Sequence, residues 1–510
     1  MQTSDALYRL IKSLSKNEKG YFRKMAAALS GAKDSNYMLL FDALDEQENF
    51  NEAAIIEKFK GEKFVKQLSV TKNYLFDLVL RALRMYNSSN GLSLLNDHIE
   101  NAQLLYKRLL TDEALDELKA ARIAALSQDR QHRLLEIERL ERRIQYDVAT
   151  TGWDEKIKET ISSNRKLLER LAVELDITEV HYNFMHFVRH TRMVRTAEQE
   201  KLLDDWIEHP ALKTDCEQLG FEARIRLNMA FKIYYQLKNE DLKSLEYMRR
   251  IEEEYHRHPA VIEDDPKRYL LALNNYLSVC IKLNMPEEIE GCLARVNTEL
   301  VNKNSAARVM WYDFSSSARI YLFSVRNQIE KALEFAAEVE AGLKEFEPYM
   351  SNVRADVMKY NLMLIYHRAN MPARALDRLN EILNSKGIEL RKDMYASLRI
   401  YNLILHYDLK NILLLESAVR SAKNFLQTRE MYYELERTVI KYFLKLISCA
   451  DEPARKKVLL ALRTEVEDLT ANNALEKNLL QNIELLNWID STVEGVPMKD
   501  YMKRKSELKA

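Results

Sequence analysis

The sequence predicts an all-α protein built from long helices with short connections, and three observations indicate this class. Only 10 of the 510 residues are Gly and 8 are Pro, whereas average usage is roughly 7% Gly and 5% Pro. Apolar residues make up 47% of the chain and recur at helical spacing, as in the segment 73–86. All eight prolines lie beyond residue 209, so the preceding sequence lacks this helix breaker. Sandwiches, barrels and nucleotide-binding sheets need Gly at turns and near phosphates, so the composition disfavours them.

The charge balance argues against a general affinity for nucleic acid. Lys and Arg number 77 while Asp and Glu number 78, so the chain carries no global basic field. Any contact with nucleic acid would have to be local, and we do not expect nucleic acid as the main partner.

The cysteines and the apolar runs predict a cytoplasmic protein without disulfides. Four cysteines are few for this length and form no Cys-x-x-Cys pair: Cys216, Cys280, Cys292 and Cys449. The N-terminus lacks the basic-then-apolar pattern of a signal peptide. No apolar run reaches the roughly 18 residues that span a bilayer, so we expect no membrane association.

Two prolines indicate a repeat in the second half of the chain. Pro286 and Pro372 are 86 residues apart, and each ends the phrase Asn-Met-Pro between two apolar helical runs. Half of that spacing is 43 residues, and four positions at this interval are assigned to the start of the second helix of a pair: Ile289, Ala332, Ala375 and Ala418.

The same register extends to nine helix pairs with steps of 40 to 45 residues. The further positions are Ala114, Ile157, Leu202, Ser244 and Val458. The first helices of the pairs are predicted near 94–109, 130–149, 178–194, 217–238, 266–283, 307–325, 352–369, 393–409 and 430–448, with a closing helix near 472–490. Such a pair cannot bury its apolar stripe alone, so we expect the pairs to stack.

The clearest helix pair runs from Lys359 to Leu383. Six of its residues are spaced as the Leu, small, Tyr, Ala, aromatic and Ala positions of a known repeat: Leu362, Met363, Tyr366, Ala375, Leu379 and Ile382. In this the pair resembles a tetratricopeptide repeat (TPR), although Met363 replaces the small residue, Lys359 replaces Trp, and the interval is 43 instead of 34 residues. The resemblance implies a right-handed α-solenoid of TPR-like helix pairs with a period of about 43 residues over 91–492. It also implies a non-enzymatic scaffold or adaptor that binds protein or peptide on its concave face.

Residues 1–90 predict a small helical N-terminal module. Four of the ten glycines lie in or directly after this module, at positions 20, 31, 61 and 91, and the first 30 residues carry six basic side chains: Arg9, Lys12, Lys16, Lys19, Arg23 and Lys24. Tyr21 and Phe22 lie among these charges, where aromatic rings either stack on bases or pack in a core. Two interpretations stay open. The module is a cap on the solenoid, or it contacts DNA or an effector domain in a regulatory protein whose solenoid senses a peptide signal. Residues 493–510 form a charged C-terminal tail that could occupy the groove.

The sequence contains none of the common motifs of nucleotide-binding or hydrolytic enzymes. GxGxxG, GxxxxGK[ST], GxSxG and HExxH do not occur, so we expect neither enzyme activity nor a cofactor. The nearest approach to a metal site is His186 and His190, four residues apart on one helix face, with His181 pointing away. A third ligand is missing, so no metal is predicted.

The concave face of the predicted solenoid is the candidate binding site, because the first helices of TPR-like pairs line that face. The register assigns polar and aromatic residues of four helices to it: Asn274, Asn275, Ser278, Ser317, Tyr321, Tyr360, Asn361, His367 and Tyr407. Asn275 and Asn361 hold the same register position two pairs apart, and an Asn amide can donate to and accept from an extended peptide backbone. A half-exposed inner face would show the same composition without any ligand. We expect a protein or peptide segment as partner, and the oligomeric state stays open.

Overall fold

Helices are the only regular secondary structure in the parts of the chain that the computed structural model describes. These parts are residues 5–30, 36–86, 91–148, 153–190, 194, 196–302, 304–385, 392–429, 432–471 and 484–507. They contain 26 α-helices, four short 3-10 helices and no β-strand, so the all-α class is confirmed. The chain divides into two compact units. Unit 1 comprises Met1–Asn284 and Arg295–Arg308, and unit 2 comprises Met285–Ala294 and Val309–Ala510.

Unit 1 begins with five helices that share one core. They are α1 (Ala6–Ser13), α2 (Lys16–Ser30), α3 (Asn36–Glu46), α4 (Glu52–Lys58) and α5 (Leu68–Tyr86). Their buried residues all fall between positions 7 and 82. At the centre, Phe22 stacks on Phe41 with ring centroids 4.4 Å apart, and both rings are fully buried. Local helices thus bury their apolar faces against one another.

The remainder of unit 1 is a series of longer helices. They are α6 (Gly91–Tyr106), α7 (Thr111–Ser127), α8 (His132–Val148), α9 (Trp153–His190), α10 (Ala197–Ile207), α11 (Phe221–Leu237), α12 (Asp241–Arg257), α13 (Pro259–Asp264), α14 (Pro266–Lys282) and α16 (Thr298–Asn302). Unit 2 contains α15 (Pro286–Ala294) and most of α17 (Ser305–Val325), then α18 (Ile329–Phe346), α19 (Asn352–Arg368), α20 (Pro372–Leu383), α21 (Lys392–Asp408), α22 (Ile412–Thr428), α23 (Glu434–Ile447), α24 (Glu452–Ala471), α25 (Leu485–Glu494) and α26 (Met498–Glu507).

Helix α9 corrects the predicted order of pairs. The register places a second helix around Ile157 and a separate first helix near 178–194, whereas the structure has one continuous helix of 38 residues. Residues 165–190 contain neither Gly nor Pro, and their apolar side chains continue at helical spacing. The sequence therefore offers no residue that would end the helix between the two predicted segments.

Left-handed Asn residues explain how the chain turns with so few glycines. Asn239, Asn327 and Asn370 have φ values of 60°, 52° and 60°, and each follows the end of a helix. After Asn370, the amide of Met371 donates to the Tyr366 carbonyl oxygen at 2.8 Å, which completes the helix C-cap. Asn adopts this conformation more readily than other side-chain-bearing residues. In the phrase Asn-Met-Pro, Asn therefore ends α19 and Pro begins α20.

The assignment of Ala418 by the 43-residue register is wrong by three residues. Ile289, Ala332 and Ala375 are each the fourth residue of their helix and are buried. In α22 the fourth residue is Leu415, which is fully buried, whereas Ala418 is only partly buried. Helix α20 has 12 residues where α18 has 18, and α22 accordingly begins 40 residues after α20.

The last two helices of the described part of the chain pack against each other. The predicted closing helix near 472–490 is described only from residue 484, and α25 begins at Leu485. Within the predicted tail, residues 498–507 form α26, in which Met498 is buried and the Tyr501 hydroxyl donates to Asp490 at 2.8 Å. No helix in the described parts combines the length and apolarity needed to cross a bilayer.

Candidate functional site

Three predicted site residues lie on α14 in unit 1. Asn274 and Asn275 are half-buried, and Ser278 is exposed. The Ser278 hydroxyl donates to the Asn274 carbonyl oxygen at 2.8 Å, so it is satisfied within the helix. Neither Asn side chain has a hydrogen-bond partner among the described residues, while their neighbours Leu273 and Tyr276 are buried. The helix is thus anchored on one side and presents two adjacent amides at its surface.

Ser317 and Asn361 contact each other in unit 2. Asn361 on α19 donates from Nδ2 to Ser317 Oγ on α17 at 3.3 Å. Both residues are half-buried, so this hydrogen bond ties the two helices together. Tyr321 on α17 is also half-buried, and burial raises the pKa of its hydroxyl. Part of the hydrogen-bonding capacity assigned to a peptide partner is therefore used between helices.

His367 lies in a buried hydrogen-bond network. Its side chain is 4% exposed, its Nδ1 lies 2.7 Å from the Tyr401 hydroxyl, and its Nε2 lies 2.7 Å from Asp408 Oδ2. Both ring nitrogens therefore have partners within the chain. The prediction that His367 faces a peptide ligand does not agree with this burial, because the ring is packed between α19 and α21.

Asp408 also accepts a hydrogen bond from the C-terminal part of the chain. Trp488 on α25 donates from Nε1 to Asp408 Oδ1 at 2.8 Å and is 2% exposed. Its ring stacks on Phe443, with centroids 5.7 Å apart and planes 10° apart, and meets Tyr407 edge-on at 5.5 Å. The predicted site residue Tyr407 thus binds a side chain of its own molecule.

A buried ion pair holds the start of the same segment. Arg368 Nε donates to Glu484 Oε2 at 2.9 Å, and both side chains are 12% exposed. Burial alone would raise the pKa of Glu484, but the neighbouring guanidinium outweighs it and holds that pKa below its ordinary value. Burial, and then the Glu484 charge, raise the pKa of the nearby Tyr360 hydroxyl. We call Glu484 and Trp488 the C-terminal anchor.

The structure therefore brings Tyr360, His367 and Tyr407 together around the C-terminal anchor. Sequence reasoning missed the other members of this site, which are Arg368, Tyr401, Asp408, Glu484 and Trp488. The hydrogen bonds of the anchor join positions 80 and 116 residues apart, and no periodic pattern connects such positions. The rarity of Trp, with four in the chain, was the one signal that could have marked Trp488.

The two histidines considered as a metal-binding pair lie side by side on the surface of α9. The rings of His186 and His190 lie 4.3 Å apart, and both residues are exposed. The described residues contain no group of three or more His, Cys, Asp or Glu side chains arranged to hold a metal. His181 stands apart, and burial, with a smaller effect of Arg226, lowers its pKa to about 4.

Acidic side chains engage much of the basic N-terminal segment. Lys19 binds Asp45 at 2.6 Å, and Arg23 binds Asp42 at 2.9 Å and Asp45 at 3.1 Å. Phe22, one of the two aromatic residues considered for base stacking, lies in the core of the module. These contacts leave fewer free cations on this surface than the sequence indicates.

A separate cleft lies within unit 1. It has a volume of about 600 Å³ between α7, α8, α9 and the segment 214–219. Its apolar wall consists of Leu126, Leu134, Leu167, Val173 and Leu219. The volume lies within the range of roughly 300–1,000 Å³ that is usual for small-ligand sites.

Charged side chains at this cleft have unused hydrogen-bonding capacity. Glu138 is 5% exposed, and its Oε1 accepts from Arg122 at 3.1 Å, whereas its Oε2 is buried without a partner in the described structure. Arg170 Nε is likewise buried and unpaired, and Lys166 lies one turn before it on α9. The lining of the cleft therefore combines three cations (Arg122, Lys166 and Arg170), two carboxylates (Glu138 and Glu169) and an apolar wall.

No protein-family model matches the sequence, and no curated protein matches it significantly.

Proposed function

We propose that this protein is a non-enzymatic scaffold in which TPR-like helix pairs stack as an α-solenoid and hold a protein or peptide segment. The observation that carries this proposal is the C-terminal anchor of unit 2. Side chains of α19, α21 and α23 hold Glu484 and Trp488 by a buried ion pair, an indole hydrogen bond and aromatic contacts. Buried aromatic and Arg anchors are also what dominate binding between separate chains.

In this proposal the C-terminal anchor is an internal example of the recognition chemistry. An external segment would use the same elements, namely an aromatic side chain that enters an apolar site and a charge that meets a buried opposite charge. On α14, the amides of Asn274 and Asn275 offer donors and acceptors to a partner backbone, and no described residue occupies them.

A labelled peptide of residues 484–507 tests whether these helices recognise a separate segment. The Trp488→Ala variant of the full chain weakens the internal contact, so we expect it to bind the peptide more tightly than the unmodified chain does. A peptide with Ala at position 488 is the matched control and should not bind. Fluorescence anisotropy measures both. If neither chain binds the unmodified peptide, the recognition chemistry proposed for this face is wrong.

The amides of α14 are tested by the double substitution Asn274→Ala/Asn275→Ala. Affinity capture from a lysate with quantitative mass spectrometry should show partners that the wild-type chain retains and the double variant loses. Asn380→Ala on α20 is the control, because Asn380 is exposed on a second helix of a pair. Equal capture by all three chains would remove Asn274 and Asn275 from the binding site.

The second candidate function is a regulator whose N-terminal module contacts DNA or an effector domain while the helical array senses a ligand. The cleft of unit 1 favours the sensing part, because Glu138 offers a buried acceptor and Arg170 a buried donor beside an apolar wall. These groups suit a small zwitterion with an apolar body, such as an apolar amino acid or a short apolar peptide.

Isothermal titration with leucine and with trileucine distinguishes a free amino acid from a peptide as the ligand. Binding should fall at least about tenfold in Glu138→Gln and in Arg170→Met, since each removes a charge-assisted contact. Glu159→Gln, at an exposed position of α9, is the control. Absence of binding, or equal binding by all variants, would exclude this ligand class.

A further inference from the structure

The outward face of α9 carries a stripe of exposed apolar side chains. They follow one another at intervals of seven residues and are 46% to 68% exposed: Ile161, Leu168, Leu175 and Tyr182. A seven-residue interval keeps side chains on nearly the same side of a helix. The opposite face packs into unit 1 through residues such as Ile177 and Phe184, which are fully buried. Helix α9 is therefore apolar on two sides, and its own chain covers one of them.

Two opposite charges lie on the exposed side of α9. Arg165 and Glu179 stand seven residues before and after Ala172, all three are exposed, and neither charge pairs with a described residue. If two copies of α9 lie antiparallel and cross at Ala172, Arg165 of one copy faces Glu179 of the other. By two-fold symmetry this pairing occurs twice. In a parallel pair, Arg165 of one copy would face Arg165 of the other, and Glu179 would face Glu179, so like charges would repel. The charge pattern therefore favours the antiparallel arrangement.

We propose that the protein self-associates by antiparallel pairing of α9 about Ala172, which yields a two-fold homodimer. The small side chain of Ala172 permits close approach at the crossing point. Leu168 of one copy then packs beside Leu175 of the other, and Ile161 lies opposite Tyr182. The contact extends over the 22 residues from Ile161 to Tyr182, roughly 32 Å at the rise of an α-helix. An apolar seam with complementary flanking charges is what specifies a helix pair.

One feature of the same surface limits the strength of the dimer. Glu169, which also lines the cleft of unit 1, and Asp176 are both exposed on α9. In the antiparallel pair, Glu169 of one copy lies opposite Asp176 of the other at the edge of the seam. Their mutual repulsion is exposed to solvent and therefore modest. Asp176→Asn should consequently tighten the dimer, by roughly two- to fivefold, which a merely damaging substitution would not do.

The molar mass of the full chain in solution tests the proposal. Light scattering across a concentration series should show the mass rise from the 59.9 kDa of one chain toward twice that value. Leu168→Glu/Leu175→Glu should raise the dissociation constant at least about a hundredfold, because it places charges in the apolar seam. Leu413→Glu is the control, since Leu413 is 86% exposed on α22. A single-chain mass at every concentration would overturn the proposal.

Charge reversal and cross-linking test the orientation. Arg165→Glu should weaken the dimer by roughly fivefold, and adding Glu179→Arg should restore it to near the wild-type value. In a Cys216→Ser chain, a short bis-maleimide should cross-link Ala172→Cys to itself. It should not cross-link Arg165→Cys to itself, because antiparallel pairing separates those positions by roughly 21 Å. Efficient cross-linking of Arg165→Cys alone, or no rescue by the double reversal, would refute antiparallel pairing.

Discussion

Replacing Trp488 by Phe isolates the hydrogen bond that holds the C-terminal anchor. Phe keeps an aromatic ring between Phe443 and Tyr407 but lacks the indole donor, which lies 2.8 Å from Asp408 Oδ1. Asp408 keeps its contact with His367 through the other oxygen, so one bond to a carboxylate is lost. Such bonds contribute about 1.5–3 kcal/mol, and the loss leaves a part-buried acceptor unpaired.

Hydrogen exchange measures this loss locally, which matters because a chain of two units need not unfold in one step. Amides of α25 should exchange roughly 10- to 100-fold faster in Trp488→Phe, the factor that corresponds to that free energy. In Trp488→Ala the stacked ring is lost as well, so a cost of about 3–5 kcal/mol and correspondingly faster exchange are expected.

Trp311→Phe is the matched control for this prediction. Trp311 is half-buried and packs edge-on against Phe314, and it has no hydrogen bond to a described residue. Its replacement should leave exchange in α25 unchanged. If Trp488→Phe has no larger effect than Trp311→Phe, the hydrogen bond to Asp408 does not stabilise the anchor and the reasoning fails.

Three further predictions concern other contacts. Arg368→Met alone should destabilise unit 2 by about 3–5 kcal/mol in chemical denaturation, because it leaves the Glu484 charge buried without a partner. Adding Glu484→Gln should recover much of that loss. If the losses of the two substitutions simply add, the two side chains do not act as a pair. Burial lowers the pKa of Lys232 from 10.5 to about 8. Between pH 8 and pH 10.5 the unfolded chain therefore binds more protons at this residue than the folded chain does. The free energy of unfolding should consequently rise with pH across that range, by up to about 3 kcal/mol. Lys232→Met should abolish this rise, and an identical pH profile in both chains would count against it. Gly342→Ala should destabilise the protein in thermal unfolding by about 1–3 kcal/mol, because the new Cβ would lie 2.3 Å from the Tyr312 ring. Gly20→Ala is the control: it has open space around the new Cβ and should be neutral or stabilising. Equal effects of the two substitutions would contradict this packing.

Much of the helical structure follows from local sequence. The predicted first helices at 217–238, 266–283, 352–369 and 393–409 correspond closely to α11, α14, α19 and α21. Helix formation depends on residues within a few turns, so apolar spacing and the positions of Pro are sufficient to place these elements. The left-handed Asn at the end of α19 is equally local, because the phrase Asn-Met-Pro already contains both the residue that closes one helix and the residue that begins the next.

The predicted helix positions were wrong in two places. One prediction assumed a constant 43-residue interval, and the other placed a turn where the sequence has no Gly or Pro to form one. The short helix α20 shifted the following pair, so Leu415 and not Ala418 holds the buried position in α22. Helix α9 runs through a predicted pair boundary because no residue there favours a turn. Both errors come from applying one fixed interval along the chain, although the length of each helix depends on its own sequence and packing.

The surroundings of the candidate site depended on contacts between remote parts of the chain. Local sequence was enough to select Tyr360, His367 and Tyr407 as side chains worth examining, and to exclude the common enzyme motifs. It could not reveal that Arg368 meets Glu484 or that Asp408 meets Trp488, because residues 80 to 116 positions apart become neighbours only when the helices between them have packed. Whether a polar side chain faces solvent or a buried partner is decided at that stage, since burial makes an unpaired polar group costly and tertiary contacts supply its partner.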